Sequence, residues 1–249
     1  MSDSGNGAEP SGGPDFDEIR KLIGELPGPD VAAVTATRAR EAELTKPPGA
    51  LGRLEEITEW VAAWQGRHPP NVGHARIAVF AGNHGVAARG VSAYPAEVTA
   101  QMVQNFVAGG AAVNQLTELA DADLRVYEMA LETPTEDFTQ GPALREADCA
   151  KAVAYGMMSV EAGVELIALG EMGIANTTAA AAICYALYGG APQDWVGPGT
   201  GVSGDALAAK VATVEAGVAA NRDLLDDPLQ VLRALGGHEI AAMAGAIIA

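Results

Sequence analysis

The chain has 249 residues, enough for one large domain that buries roughly 70–75% of its unfolded surface. Apolar residues make up 49% and charged residues 19%, a globular balance rather than a disordered one. Fifteen Lys and Arg against 32 Asp and Glu leave a net charge of −17, a field that repels polyanions and excludes general nucleic-acid binding.

The acidity is concentrated in residues 1–30 and 121–148, both turn-rich, and reads as a solvated acidic surface. Residues 1–14 are Gly/Ser/Pro-rich and acidic, which predicts a floppy tail rather than a signal peptide. Phe16, Ile19, Leu22 and Ile23 then fall at helical spacing, up to the stop at Pro27-Gly28-Pro29. Asp30 is a good cap for a second helix carrying Val31 and Val34, which Thr45–Gly49 breaks. Leu51, Leu54, Ile57, Val61 and Trp64 mark a third, so residues 15–70 read as an all-helical part.

The character changes from residue 71 onward. Ile77–Ala81 is a short apolar run closed by Gly82, the pattern of a buried strand. Further strands are expected at Leu124–Met129, Val164–Leu169 and Asp194–Gly197, with helices at about 95–120, 143–161, 176–188 and 204–222. Such alternation predicts an α/β fold with a parallel sheet and helices on its faces over residues 71–249. In that architecture ligands bind beyond the carboxyl ends of the strands. Cys149 and Cys184 sit among small apolar residues and read as reduced core thiols of a cytoplasmic protein. No run of about 20 apolar residues offers a membrane span. The final stretch, Ile240–Ala249, is an apolar helix without a polar last turn, which predicts a chain cut inside a larger fold.

Four Gly-rich loops are the candidates for chemistry. Gly82-Asn83-His84-Gly85-Val86 follows the first strand and leads to Gly90–Pro95 and a helix bearing Thr99 and Gln101. There Ser92, Tyr94 and Gln101 offer hydroxyl and amide groups beside apolar surface, a mixture suited to a flat neutral ring. His84 alone reads as a structural histidine. Leu169–Thr178 brings a strand end into a small-residue turn where Asn176, Thr177 and Thr178 open a helix, a ready phosphate cradle or merely a helix cap. Glu171 is an acid beside it. Val196–Gly201 carries Gly197, Gly199 and Gly201, which permit close approach to a sugar-phosphate, with Lys210 on the following helix as an available cation or a surface lysine. It fits neither dinucleotide nor P-loop patterns. Gly236-Gly237-His238-Glu239 opens the last helix and lacks the second histidine of a zinc protease.

Taken together and in order, these stretches resemble the nicotinate-nucleotide–dimethylbenzimidazole phosphoribosyltransferase family of cobalamin lower-ligand synthesis. The resemblance is carried by Thr45–Glu55, Val79–Gly85, Gly90–Pro95, Glu97–Val103, Asn105-Phe106 with Gly109–Ala112, Gly170–Thr178, Val196–Gly201 and Leu235–Gly245. It implies a Rossmann-like parallel sheet with helices on both faces, a small helical domain from terminal helices, and a homodimer. The implied reaction moves phosphoribose from nicotinate mononucleotide to 5,6-dimethylbenzimidazole, giving α-ribazole 5′-phosphate and nicotinate. Nicotinate leaves from a cationic ring nitrogen, so neither metal nor cofactor is expected. By matched position Ser92, Tyr94 and Gln101 would line the base pocket. Gly173, Asn176, Thr177, Thr178, Gly199, Thr200 and Gly201 would hold the ribose-phosphate. Glu171 would sit near the reacting ring, with Lys210 assisting it or binding an anionic group. The family's principal catalytic glutamate is expected in a segment after Ala249. Ala175 stands where the family usually has Gly, and its methyl is strained if the turn takes positive φ there. The same chemistry on another base or a phenolic acceptor, and a nucleotide-binding fragment without turnover, stay open as alternatives.

Overall fold

Aspartates begin the first helices. Asp15 accepts the Glu18 N–H at 2.9 Å at the head of α1 (Phe16–Gly24), and Asp30 accepts that of Ala33 at 2.8 Å at the head of α2 (Val31–Glu43). The computed structural model describes residues 13–249, so the expected tail lies almost wholly outside the described residues. Helix α3 (Arg53–Gln65) pairs with α2, whereas α1 drives Phe16 and Ile19 into the main core against the later helix Glu146–Met158.

Strand β1 (Ala75–Ala81) lies between β2 (Asp123–Glu128) and β3 (Leu166–Met172), all parallel. Its Ala78, Val79, Phe80 and Ala81 are all buried, as expected of a central strand covered on both faces. Ala81 is in register with Glu128 on one side and Met172 on the other, so the three strands end level. This α/β arrangement, with helices on both sheet faces, agrees with the expected class.

After a 3-10 turn at Gly85–Arg89 come α4 (Val98–Val107) and α5 (Ala112–Leu119), both packed against β2. The single helix expected over 95–120 is broken at Gly109, whose φ of +79° suits glycine. Helix α6 (Glu146–Met158) connects β2 to β3, and α7 (Asn176–Tyr188) follows β3. The expected strand at Asp194–Gly197 is not one. Pro192–Trp195 form the short helix α8, with Pro at its start and the Asp194 carboxylate accepting from Ala191 N–H at 2.9 Å. The loop 196–201 therefore leaves a helix rather than a strand. Beyond it lie α9 (Asp205–Ala220), α10 (Pro228–Leu235) and α11 (His238–Ile248). Among the described residues no helix is long and apolar enough to cross a membrane.

Helix α11 crosses β1 and β3 and packs most closely on α6. Their contact is backbone on backbone: a Cβ on Gly156 would overlap the Ala242 carbonyl, and one on Gly245 the Val153 carbonyl. Cys149, also on α6, lies in the core, where burial pushes its thiol up to about 12, so it stays protonated and inert.

Candidate active site

The level strand ends bring two of the expected loops into contact. Gly82 N–H donates to Met172 O at 3.0 Å, and the Gly82 carbonyl lies where a Cβ on Gly173 would fall. The turn after β3 therefore requires glycine at 173 to sit against the turn after β1. From α4, the buried Thr99 hydroxyl accepts the Ile174 N–H at 3.1 Å and fixes the turn from the other side. Ala175 follows at φ +75°, ψ +1°, a left-handed conformation that its methyl disfavours by about 1–2 kcal/mol. Ala175→Gly is accordingly expected to raise stability by about 0.5–1 kcal/mol, seen as a higher urea midpoint at unchanged slope.

No side chain caps α7, which leaves its positive end open. Asn176 is buried and donates its amide to Glu171 instead. Desolvation raises the Glu171 carboxyl above its ordinary value; the Asn176 hydrogen bond opposes this, and the charge of Glu239 adds to it. Thr177 is exposed, while Thr178 is fully buried with its hydroxyl oxygen unpartnered. Thr178 thus faces the core and not the open turn.

The third loop joins the other two despite leaving a helix. Thr200 Oγ1 lies 2.9 Å from Ser92 Oγ and accepts the Ala93 N–H at 3.0 Å, which ties 196–201 to the loop 90–95. Lys210 bridges it to α7, donating to Thr177 Oγ1 at 2.8 Å and to Gly197 O at 3.0 Å. Gly199, at φ +52°, leans over this pair, where a Cβ would fall on Lys210 Nζ and Thr177 Oγ1. Lys210 is only 1% exposed, and among the described residues it forms no salt bridge. Burial alone lowers its pKa.

Ser92, Gly173, Asn176, Thr177, Gly199, Thr200, Lys210 and Glu171 are thus joined through one network at the strand ends. Tyr94 and Gln101 are exposed and bond through their side chains to none of these. Thr99 does contact the turn, and its place two positions before Gln101 in an otherwise apolar helix face was the available signal. Sequence reasoning also leaves Glu239 without a role, although an acid in the first turn of an apolar helix marks an unusual burial.

A family model described as phosphoribosyltransferase matches residues 26–249. The nicotinate-nucleotide–dimethylbenzimidazole phosphoribosyltransferases of Rhizobium meliloti strain 1021 and Rhizobium etli strain CIAT 652 are each 58% identical over 234 residues. Each match takes in 94% of this chain and 69% of the relative. The crystal structure of CobT from Thermus thermophilus superposes with a TM-score of 0.78 at 40% identity, over 86% of this chain and 70% of that one. With this identity sustained across nearly its whole length, the chain belongs to the nicotinate-nucleotide–dimethylbenzimidazole phosphoribosyltransferase family.

Proposed function

We propose that the protein transfers phosphoribose from nicotinate mononucleotide to 5,6-dimethylbenzimidazole, releasing nicotinate and forming α-ribazole 5′-phosphate. The observation that carries the reading is Lys210, a buried ammonium without a carboxylate partner among the described residues, held beside the uncapped start of α7. Such a charge is costly to bury unless an anion completes it. Two of its protons are committed to Thr177 Oγ1 and Gly197 O. Because Thr177 accepts from Lys210, its own hydroxyl proton is free to donate onward, polarised by the ammonium. A phosphate here meets that hydroxyl, the helix N-terminus and the residual ammonium proton.

The ribose then extends over Gly199–Gly201 toward Ser92 and Glu171. Nicotinate departs from a cationic nitrogen and needs no protonation, so the protein's work is to hold the sugar and aim the incoming nitrogen at the opposite face of C1′. Glu171, its carboxyl raised by desolvation, is suited to take the benzimidazole's single N–H proton, on the nitrogen that does not attack, as the new bond forms. Ser92, Tyr94 and Gln101 supply the wall and polar edge for the flat base.

Titration calorimetry with nicotinate mononucleotide, followed by an assay for α-ribazole phosphate, tests the reading; a chain that binds no mononucleotide would overturn it. Thr177→Ala is expected to weaken mononucleotide binding by about 1–2 kcal/mol, the worth of one charge-assisted hydrogen bond.

The working unit is a homodimer built on α3. Its Leu54, Ile57, Trp60 and Trp64 are 46–59% exposed and follow one another at helical spacing, an apolar stripe too long for a solvated surface. Trp60→Glu is expected to convert a dimer into a monomer in sedimentation velocity at micromolar concentration. The two free cysteines, Cys149 and Cys184, support a reducing, cytoplasmic setting.

A further inference from the structure

A buried polar contact lies beside the phosphate cradle without belonging to it. His84 Nε2, just after β1, and Glu239 Oε1, in the first turn of α11, are 2.6 Å apart with neither side chain exposed. They are 155 residues apart in the chain. Burial pushes the Glu239 carboxyl up, yet the His84 ring beside it, with a backbone hydrogen bond and His238, outweighs that and holds it below its ordinary value. Nε2 and the carboxyl group share this one buried hydrogen bond. Glu171 from β3 and His238 from α11 itself also face this group.

The backbone has been cleared to make room for the pair. A Cβ on Gly82 would strike the Glu239 carboxylate, and one on Gly237 would strike both the carboxylate and the His84 ring. Gly82 is also the residue whose carbonyl abuts Gly173 and whose N–H bonds Met172 O. Contact therefore runs without interruption from α11 through Glu239 and Gly82 to the turn that opens α7.

We propose that His84 and Glu239 are positioning residues: their buried hydrogen bond clamps the backbone after β1 against Gly173 and so fixes the placement of the turn 173–178. The structural half of this claim stands on the contacts just given, and its consequence for nucleotide binding rests on the phosphoribosyltransferase reading.

The test compares Glu239→Ala, His84→Ala, the double variant, and the conservative Glu239→Gln and His84→Gln, which keep an acceptor and a donor in place. Amide hydrogen exchange is followed without ligand, and mononucleotide affinity is measured in parallel. Each alanine variant is expected to speed exchange at Gly82 and residues 173–178 about tenfold more than at Leu124–Tyr127 of β2, a local opening rather than a global one. Mononucleotide affinity is expected to fall about tenfold in each and no further in the double variant, since both remove one shared bond. The glutamine variants are expected to stay within about threefold of the wild type, because the bond survives. If alanine variants do not fold, the glutamine pair still decides the matter: a shifted turn in both, with the rest of the fold intact, overturns the proposal. So does faster exchange confined to α11 with the turn unmoved. A wild-type chain that fails to bind mononucleotide, while the alanine variants still loosen the turn, removes the phosphoribosyltransferase reading and leaves the clamp standing.

Discussion

Lys210→Met is expected to weaken nicotinate mononucleotide binding by about 2–3 kcal/mol, roughly 30- to 150-fold, while leaving the protein more stable. Both effects come from one geometry. The ammonium is 1% exposed, lacks a salt-bridge partner among the described residues, and is satisfied only by Thr177 Oγ1 and Gly197 O. With no ligand present it is a desolvated charge, and methionine fills similar volume without that penalty. We expect a gain of about 1 kcal/mol, or roughly 2–4 °C in thermal midpoint for a chain of this size. Calorimetric titration and thermal melts of the same two proteins check the pair of outcomes. A variant that binds normally would place the phosphate elsewhere.

The pH dependence of stability gives this an independent check. Burial holds Lys210 in the folded protein below its ordinary value of 10.5. Between those two values the unfolded chain binds more protons than the folded one, so stability rises with pH across that window. Below the folded value the full cost of the buried charge is present, and above 10.5 it has vanished. The difference between wild type and Lys210→Met is therefore expected to shrink as pH climbs through the alkaline range. Tyrosine and other groups titrate there too, but they cancel in the difference.

The elements that were legible in the sequence are those whose signal is local. Ile77–Ala81 is an apolar run closed by Gly82, Leu124, Val126 and Tyr127 mark the second strand, and α7 begins at Asn176 and ends at Tyr188 as its periodicity and Gly189 indicate. At Asp194–Gly197 the apolar Trp195-Val196 pair misled, because Pro192 and Asp194 are helix-starting chemistry and the Trp195 indole donates to Gly189 O at 2.8 Å. Helix α10 has equally plain start signals in Asp227 and Pro228, yet no helix was expected over those residues. The site divides in the same way. The turns could be picked out from glycines and hydroxyls, but the burial of Lys210 could not, since its Ala-rich helix has little amphipathic contrast. Nor does anything local indicate that Thr178 turns inward or that Glu239 meets His84. Those facts belong to tertiary contact.

Gly156→Val is expected to destabilise the fold by about 3 kcal/mol or more and to loosen the site some distance away. Gly156 sits where α6 crosses α11, with its Cα against the Ala242 carbonyl, and Gly245 makes the reciprocal contact against the Val153 carbonyl. In both cases the obstacle is backbone, which has no rotamer to change. A branched side chain at 156 must push α11 outward as a unit. Helix α11 carries Glu239 in its first turn and packs across β1 and β3, so its displacement strains the bond to His84 and the clamp on Gly82. Chemical denaturation is expected to reveal the lost stability as a lower midpoint. Hydrogen exchange at Gly82 and Gly173 is expected to quicken even under conditions where the variant remains folded. Ala at the same position tests the steric origin: its single methyl already meets the carbonyl, so the loss must be smaller than for Val but of the same sign. A Gly156→Val protein as stable as the wild type would mean that the two helices are free to move apart without cost, and the close crossing would then play no part in holding the strand-end turns.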